Sequence, residues 1–179
     1  MSKPHLHSLI ESNLHALDMA SELLVPLPVE RFVQIQRPYF ESSLGKHLRH
    51  VLDHYICFKR DFEKGLIDYD QRQRDCQLEI DKDYALSTIK RLRQFLVSLE
   101  SNTQIDQVLQ VVMCNDVDSP NGEITNSTLG RELQFLQGHS VHHFALMAAM
   151  LRVAGDDVDH DFGVAPSTLV HEKTVKESA

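Results

Sequence analysis

Tryptophan is absent from this chain, and cysteine, basic charge and long apolar runs are all scarce. The three cysteines, Cys57, Cys76 and Cys114, are odd in number, widely spaced and form no C-x-x-C pair. That argues against a disulfide framework and against a cysteine zinc site, and it suits a reducing, cytoplasmic setting. Lysine and arginine number 18 against 26 acidic residues, a net charge of −8, and they form no basic stripe. A nucleic-acid partner, which needs such a stripe to follow the phosphates, is not expected. No segment reaches the roughly 20 consecutive apolar residues that cross a bilayer, so no membrane partner is expected either. The first 25 residues include His5, His7, Glu11, Asn13, His15 and Asp18, which breaks any apolar core of a signal peptide.

What the chain has in excess is histidine, eleven residues against only four tyrosines. His5 and His7 open a helical stretch and read as surface residues. At 179 residues the chain fits a single domain, 1–179, long enough to bury a core without covalent or metal staples.

Apolar periodicity predicts four helices. Leu6, Leu9, Ile10, Leu14, Leu17, Ala20, Leu23 and Leu24 recur at helical spacing until Pro26 and Pro28 stop them. A second helix is expected from about Phe40 to Gly65, carrying Leu44, Leu48, Val51, Tyr55, Phe58 and Phe62. A third is expected over about Tyr84 to Glu100, after a charged stretch, Asp68 to Asp83, whose last aspartates can cap it. The fourth follows the cap candidates Asn126 to Thr128 and runs to Gly155. Before it, Val108 to Met113 and Ile124–Thr125 predict a short β-hairpin, with turn chemistry at Asp118, Pro120, Asn121 and Gly122. The tail after Gly155 reads as mostly irregular. The expected class is all-α: a four-helix bundle with a β-hairpin insertion before the last helix. Bundles of this kind build metal sites from inward-facing side chains on different helices.

Two histidine clusters stand on helices. In the last helix, His139 and His143 are four apart and so share a face, while His142 points to its edge. The second helix carries His47, His50 and His54, and periodicity puts His47 and His54 nearer the apolar stripe than His50. Spacing alone does not choose among these three. Two imidazoles four apart can chelate one metal, and the same pattern also occurs as plain helix structure. The Glu-x-x-His of di-iron bundles and the His-Glu-x-x-His of zincins are both missing, which favours a mononuclear, histidine-rich site.

These residues resemble a known family, the DinB/YfiT-like metalloenzyme superfamily of four-helix bundles. The segment Gly45-Lys46-His47-Leu48-Arg49-His50-Val51-Leu52-Asp53-His54 is similar to its second-helix motif, with His50 as the matching histidine. His139-Ser140-Val141-His142-His143 is similar to its last-helix motif, in which the first and fifth positions bind metal. The resemblance implies a site of His50, His139 and His143 holding one divalent transition metal ion, nickel or zinc, with a position open to water. It also implies frequent homodimers and activities from hydrolase to thiol-dependent transferase. His47, His54 and His142 are extra, and with Asp53 they stand as groups that orient the ligands or as alternative ligands.

Two functions follow from these readings. A metal-dependent enzyme would activate water or a low-molecular-weight thiol. The alternative is a non-catalytic, metal-binding or stress-related bundle, which a closed four-ligand shell would favour. Protons compete for imidazole nitrogens, so a three-histidine site is expected to release its metal as pH falls through about 6.5. Arg131 and Glu132 read as a first-turn helix pair, Cys57 as core, and Tyr69, Arg72 and Arg74 as part of a charged loop.

Overall fold

Four long helices dominate the computed structural model, which describes residues 3–118 and 122–178. Helix α1 (Lys3–Leu24) runs up to the turn that carries Pro26 and Pro28, and a short α2 (Val29–Val33) follows. Ser43 then caps α3 (Leu44–Asp61), its hydroxyl accepting from the Lys46 backbone N–H at 3.2 Å. This cap starts the helix four residues later than Phe40, the expected start. Phe40 stays outside it, partly buried against the core. A 3₁₀ turn (Phe62–Lys64) leads from α3 into Gly65, whose φ of 73° is the left-handed conformation that glycine adopts without strain.

The remaining elements are strand β1 (Leu66–Asp68), helices α4 (Gln77–Ile80) and α5 (Lys82–Asn102), strands β2 (Val108–Met113) and β3 (Glu123–Thr128), and helices α6 (Leu129–Val153) and α7 (Pro166–Glu177). Asp81 caps α5 by accepting from Tyr84 N–H at 2.9 Å, and Thr128 caps α6 by accepting from Arg131 N–H at 3.2 Å. The expected hairpin is present as β2 and β3, antiparallel, with Val111 opposite Thr125 and Met113 opposite Glu123. Its turn residues Pro120 and Asn121 lie outside the described residues.

Short helices α2 and α4 stand in stretches expected to connect the long helices, and two further elements depart from expectation. Strand β1 pairs in parallel with β2, Ile67 opposite Val111, and makes the sheet three-stranded. Three residues are too few to show an alternating pattern. The tail is helical in α7, although it was expected to be irregular, and no residue of that helix is fully buried. A helix with no buried stripe leaves a weak apolar period to read.

Each long helix packs on two neighbours: α1 on α5 and α6, α3 on α5 and α6. The core between them includes Ile10 and Leu17 of α1, Leu48 and Leu52 of α3, Leu92 and Leu96 of α5, and Leu133, Leu136 and Met147 of α6. Each such side chain stabilises the fold by about 1.5–3 kcal/mol on burial. A polar cluster sits within this apolar volume. Tyr55 on α3 donates its hydroxyl to Asn13 Oδ1 on α1 at 2.8 Å, and Asn13 Nδ2 donates to the backbone oxygens of Leu9 and Leu133. Ser140 Oγ on α6 lies 3.2 Å from the same tyrosine oxygen. The cluster ties α1, α3 and α6 at one level, one residue from His54 and one from His139. Among the described residues no helix is long and apolar enough to cross a membrane.

Candidate metal centre

Helices α3 and α6 face each other with their histidines between them. His50 of α3 and His139 and His143 of α6 each offer a nitrogen, and the three nitrogens lie within 4.8 Å of one another. Their ring centroids are 4.6 Å (His50 to His143), 4.7 Å (His139 to His143) and 4.9 Å (His50 to His139) apart. Among the described residues no other histidine, cysteine, aspartate or glutamate joins that group.

Electrostatics keep these imidazoles neutral. Burial pushes His50 down to about 3, with His54, His143, Arg72 and Arg49 adding to the effect. His139 also falls to about 3, through burial first and then its neighbours His54, His143, His50 and His142. His143 falls to about 4, again mainly by burial, with His47, His142 and His54 behind it. A metal ligand must offer a lone pair, so a neutral imidazole is the form required. His139 Nε2 is moreover buried without a hydrogen-bond partner. A buried polar atom left unpaired costs about 1–3 kcal/mol, and coordination removes that cost. The residues therefore fit a divalent ion that prefers nitrogen donors. In the metal-free chain burial thus holds all three imidazoles below the usual histidine pKa of about 6.5.

The extra histidines fall into distinct places. His47 Nδ1 lies 3.1 Å from His143 Nδ1, so one of the pair donates and the other accepts; with His143 as the donor, its Nε2 keeps the lone pair that coordination needs. His54 is buried and its Nδ1 donates to the His50 carbonyl at 2.8 Å, which fixes the ring beside His139, 4.2 Å between centroids. Burial lowers the pKa of both His47 and His54. His142 is exposed at the edge, its ring 5.2 Å from that of His143. Asp53 does not hydrogen-bond to an imidazole. It pairs with Arg49 at 3.1 Å, and Arg49 also reaches Glu79 at 2.6 Å. Burial raises the Asp53 pKa, against the lowering effect of Arg49.

Several residues read as bland in the sequence stand beside the centre. Tyr69 is fully buried rather than part of an open loop, with its ring 5.5 Å from His54 and 5.1 Å from Phe135. Arg72, partly buried, lies close enough to lower the pKa of both His50 and His54. Arg74 is exposed, and Cys57 is core as expected. Glu132 is no helix-pair residue: it is buried, and its carboxylate accepts from Tyr69 Oη at 2.8 Å and Ser127 Oγ at 2.5 Å. Arg131 is exposed. Both line a cavity of about 390 Å³ that lies between one face of the β2–β3 hairpin and the first turns of α6. Phe135 is a wall of that cavity, and its ring lies 5.6 Å from that of His139. No local sequence signal marks Tyr69 or Glu132, because the sheet that brings them together is assembled from distant segments.

Comparison with known proteins agrees with this architecture. The fold is similar to that of YfiT from Bacillus subtilis, with a TM-score of 0.62 at 17% identity over 88% of this chain and 91% of that one. That protein is described as "a probable metal-dependent hydrolase with an unusual four-helix bundle topology". FK506-binding protein 5 of Rhizopus delemar is 31% identical over 110 residues, which are 60% of this chain and 28% of that protein. This chain thus spans little more than a quarter of that curated relative. The DinB family profile matches residues 1–164, nearly the whole length and both histidine clusters, and the chain accordingly belongs to the DinB family.

Proposed function

We propose that this protein is a metal-dependent enzyme in which His50, His139 and His143 hold one divalent transition metal ion, nickel or zinc, and that it acts as a hydrolase or a thiol transferase. The observation that carries this reading is the group itself: imidazole nitrogens of three histidines within 4.8 Å of one another, with His139 Nε2 buried and without a hydrogen-bond partner. Three protein ligands without a fourth leave a position for a small molecule, the pattern of catalytic rather than structural sites. A divalent ion bound there supplies Lewis acidity, which makes water or a small thiol a competent nucleophile near neutral pH. The chain's own part is to orient and exclude. His47 orients the ring of His143, His54 packs the ring of His139 in place, and Phe135 and Tyr69 shield the centre from bulk water. Likeness in fold to a described metal-dependent hydrolase supports the first of the two reaction classes. The free thiols of Cys57 and Cys76 suit the reducing cytoplasmic setting in which a small thiol would be plentiful.

The test is metal analysis of untagged protein, wild type against His139→Ala, followed by ester-hydrolysis and thiol-transfer panels on the metal-loaded form. We expect stoichiometric metal in the wild type, its loss in the variant with helicity retained, and turnover that follows metal content. A folded variant that still holds stoichiometric metal would overturn the ligand assignment. Metal without turnover in either panel would favour the non-catalytic alternative.

A further inference from the structure

The cavity beside the metal centre has a chemistry of its own. Its walls are apolar at Val111, Met113 and Phe135, yet Glu132 lines it with a carboxylate that is only 5% exposed. Two hydroxyls, of Tyr69 and Ser127, donate to that carboxylate, and no lysine, arginine or histidine forms an ion pair with it among the described residues. An ionised carboxyl accepts about four hydrogen bonds, so roughly half its capacity stays open. Burying an anion without a counter-ion is costly, and the fold meets that cost in two ways. The first turn of α6 presents its positive end to Glu132, and Tyr69, whose pKa burial raises well above the usual value, keeps its proton to donate. The other charges lining the cavity are Glu123 and Arg131, both exposed to solvent and its screening.

Glu132 also has a fixed relation to the histidines. Glu132, Phe135, His139 and His143 recur at spacings of three and four on α6, so they form one stripe along a single helix face. At about 1.5 Å per residue, Glu132 and His139 are about 10 Å apart along the axis, with Phe135 between. A buried carboxylate with no ion-pair partner among the described residues, lining a cavity of mixed polar and apolar walls, is complementary to a protonated amine.

We propose that this cavity is a recognition subsite for the ammonium group of an amine-bearing substrate, with Glu132 as the specificity-determining carboxylate. The proposal rests on the metal-centre reading for the word substrate, whereas the binding it describes does not require the metal.

The experiment titrates the metal-loaded full chain with three probes of similar shape, phenethylamine as its cation, 2-phenylethanol and 3-phenylpropionate, followed by NMR shifts and calorimetry. It is repeated on Glu132→Gln, Thr125→Leu and His143→Ala, with circular dichroism as the folding control. We expect the amine to bind and the alcohol and the carboxylate to bind at least about tenfold more weakly, since a hydrogen bond to a charged group is worth about 1.5–3 kcal/mol. Glu132→Gln should lose a similar factor for the amine alone. Thr125→Leu, which adds bulk at an exposed lining position of the cavity, should weaken the amine as well. His143→Ala should bind it as the wild type does. Amine binding that survives both Glu132→Gln and Thr125→Leu but disappears in His143→Ala would place the amine on the metal and overturn the proposal. Equal binding of all three probes, or none, would also overturn it. If His143→Ala retains full metal yet the amine preference depends on Glu132, the metal-ligand reading fails and the subsite stands.

Discussion

His143 gives the plainest case of one side chain preparing another. With its Nδ1 3.1 Å from Nδ1 of His47, a His143 that donates this hydrogen bond presents Nε2 to an ion, and the His47 ring holds it in that orientation. Groups that orient metal ligands in this way are typically worth about 10–100-fold in metal affinity. We therefore expect His47→Ala to weaken metal binding by a factor in that range while leaving the helices intact. A chelator competition titration reads this directly, and an unchanged affinity would mean that His143 needs no such partner. The depressed pKa values of the cluster carry a second expectation, for the metal-free protein. An unfolded chain takes up protons on these histidines near pH 6.5, whereas the folded one resists until about 3 to 4 because the rings are buried. Between those limits the unfolded state binds more protons, so stability falls as pH drops from about 6.5 toward 4 and is insensitive to these groups above about 7. Urea midpoints of chelator-treated protein at successive pH values measure this, and a flat profile across that window would contradict it.

At the level of elements, the site depends on how α6 is rotated against α3. The Tyr55, Asn13 and Ser140 cluster fixes that rotation, since it lies in the core one residue from His54 and from His139. Removing the hydroxyl in Tyr55→Phe leaves Asn13 Oδ1 without its donor in a fully buried position. The expected destabilisation is about 1–3 kcal/mol, read as a lower denaturation midpoint, with metal affinity reduced alongside it because the two helices lose their common reference. A variant with normal stability would show that the cluster is incidental. Gly45 sets the other flank. A Cβ there would stand 2.0 Å from the Glu79 backbone oxygen, so glycine is what lets α4 lie against α3 and bring Glu79 to Arg49. These relations explain what could be seen beforehand. Caps at Asp81 and Thr128, the proline stop after α1 and the hairpin strands are local signals and appear where the pattern puts them. Strand β1 and helices α2, α4 and α7 carry no such signal, because the first three are three to five residues long and α7 has no fully buried face.

For the molecule as a whole, we expect a homodimer, in keeping with the family resemblance. Val25, Val29, Val33, Ile35 and Tyr39 are all exposed in and around α2, which supplies apolar surface for such an interface. Light scattering or sedimentation at micromolar concentration measures it, and a mass of 20.5 kDa, that of one chain, would remove the dimer. The sequence by itself determined the four helices and most of their ends, because caps, proline stops and a 3.6-residue apolar period act through neighbours in the chain. It also determined that His139 and His143 share a face, since their spacing requires it. It did not determine which histidine of α3 meets them. Periodicity favoured His47 and His54, and the family resemblance alone pointed to His50. Tertiary structure brought His50 to the pair, set His54 behind His139 and His47 behind His143, and lowered the pKa of all of them. The cavity with Glu132 likewise exists only once β1, β2, β3 and α6 have met. The reason is physical: burial, helix rotation and the partner of a polar atom are properties of the packed chain, and no window of local sequence contains them.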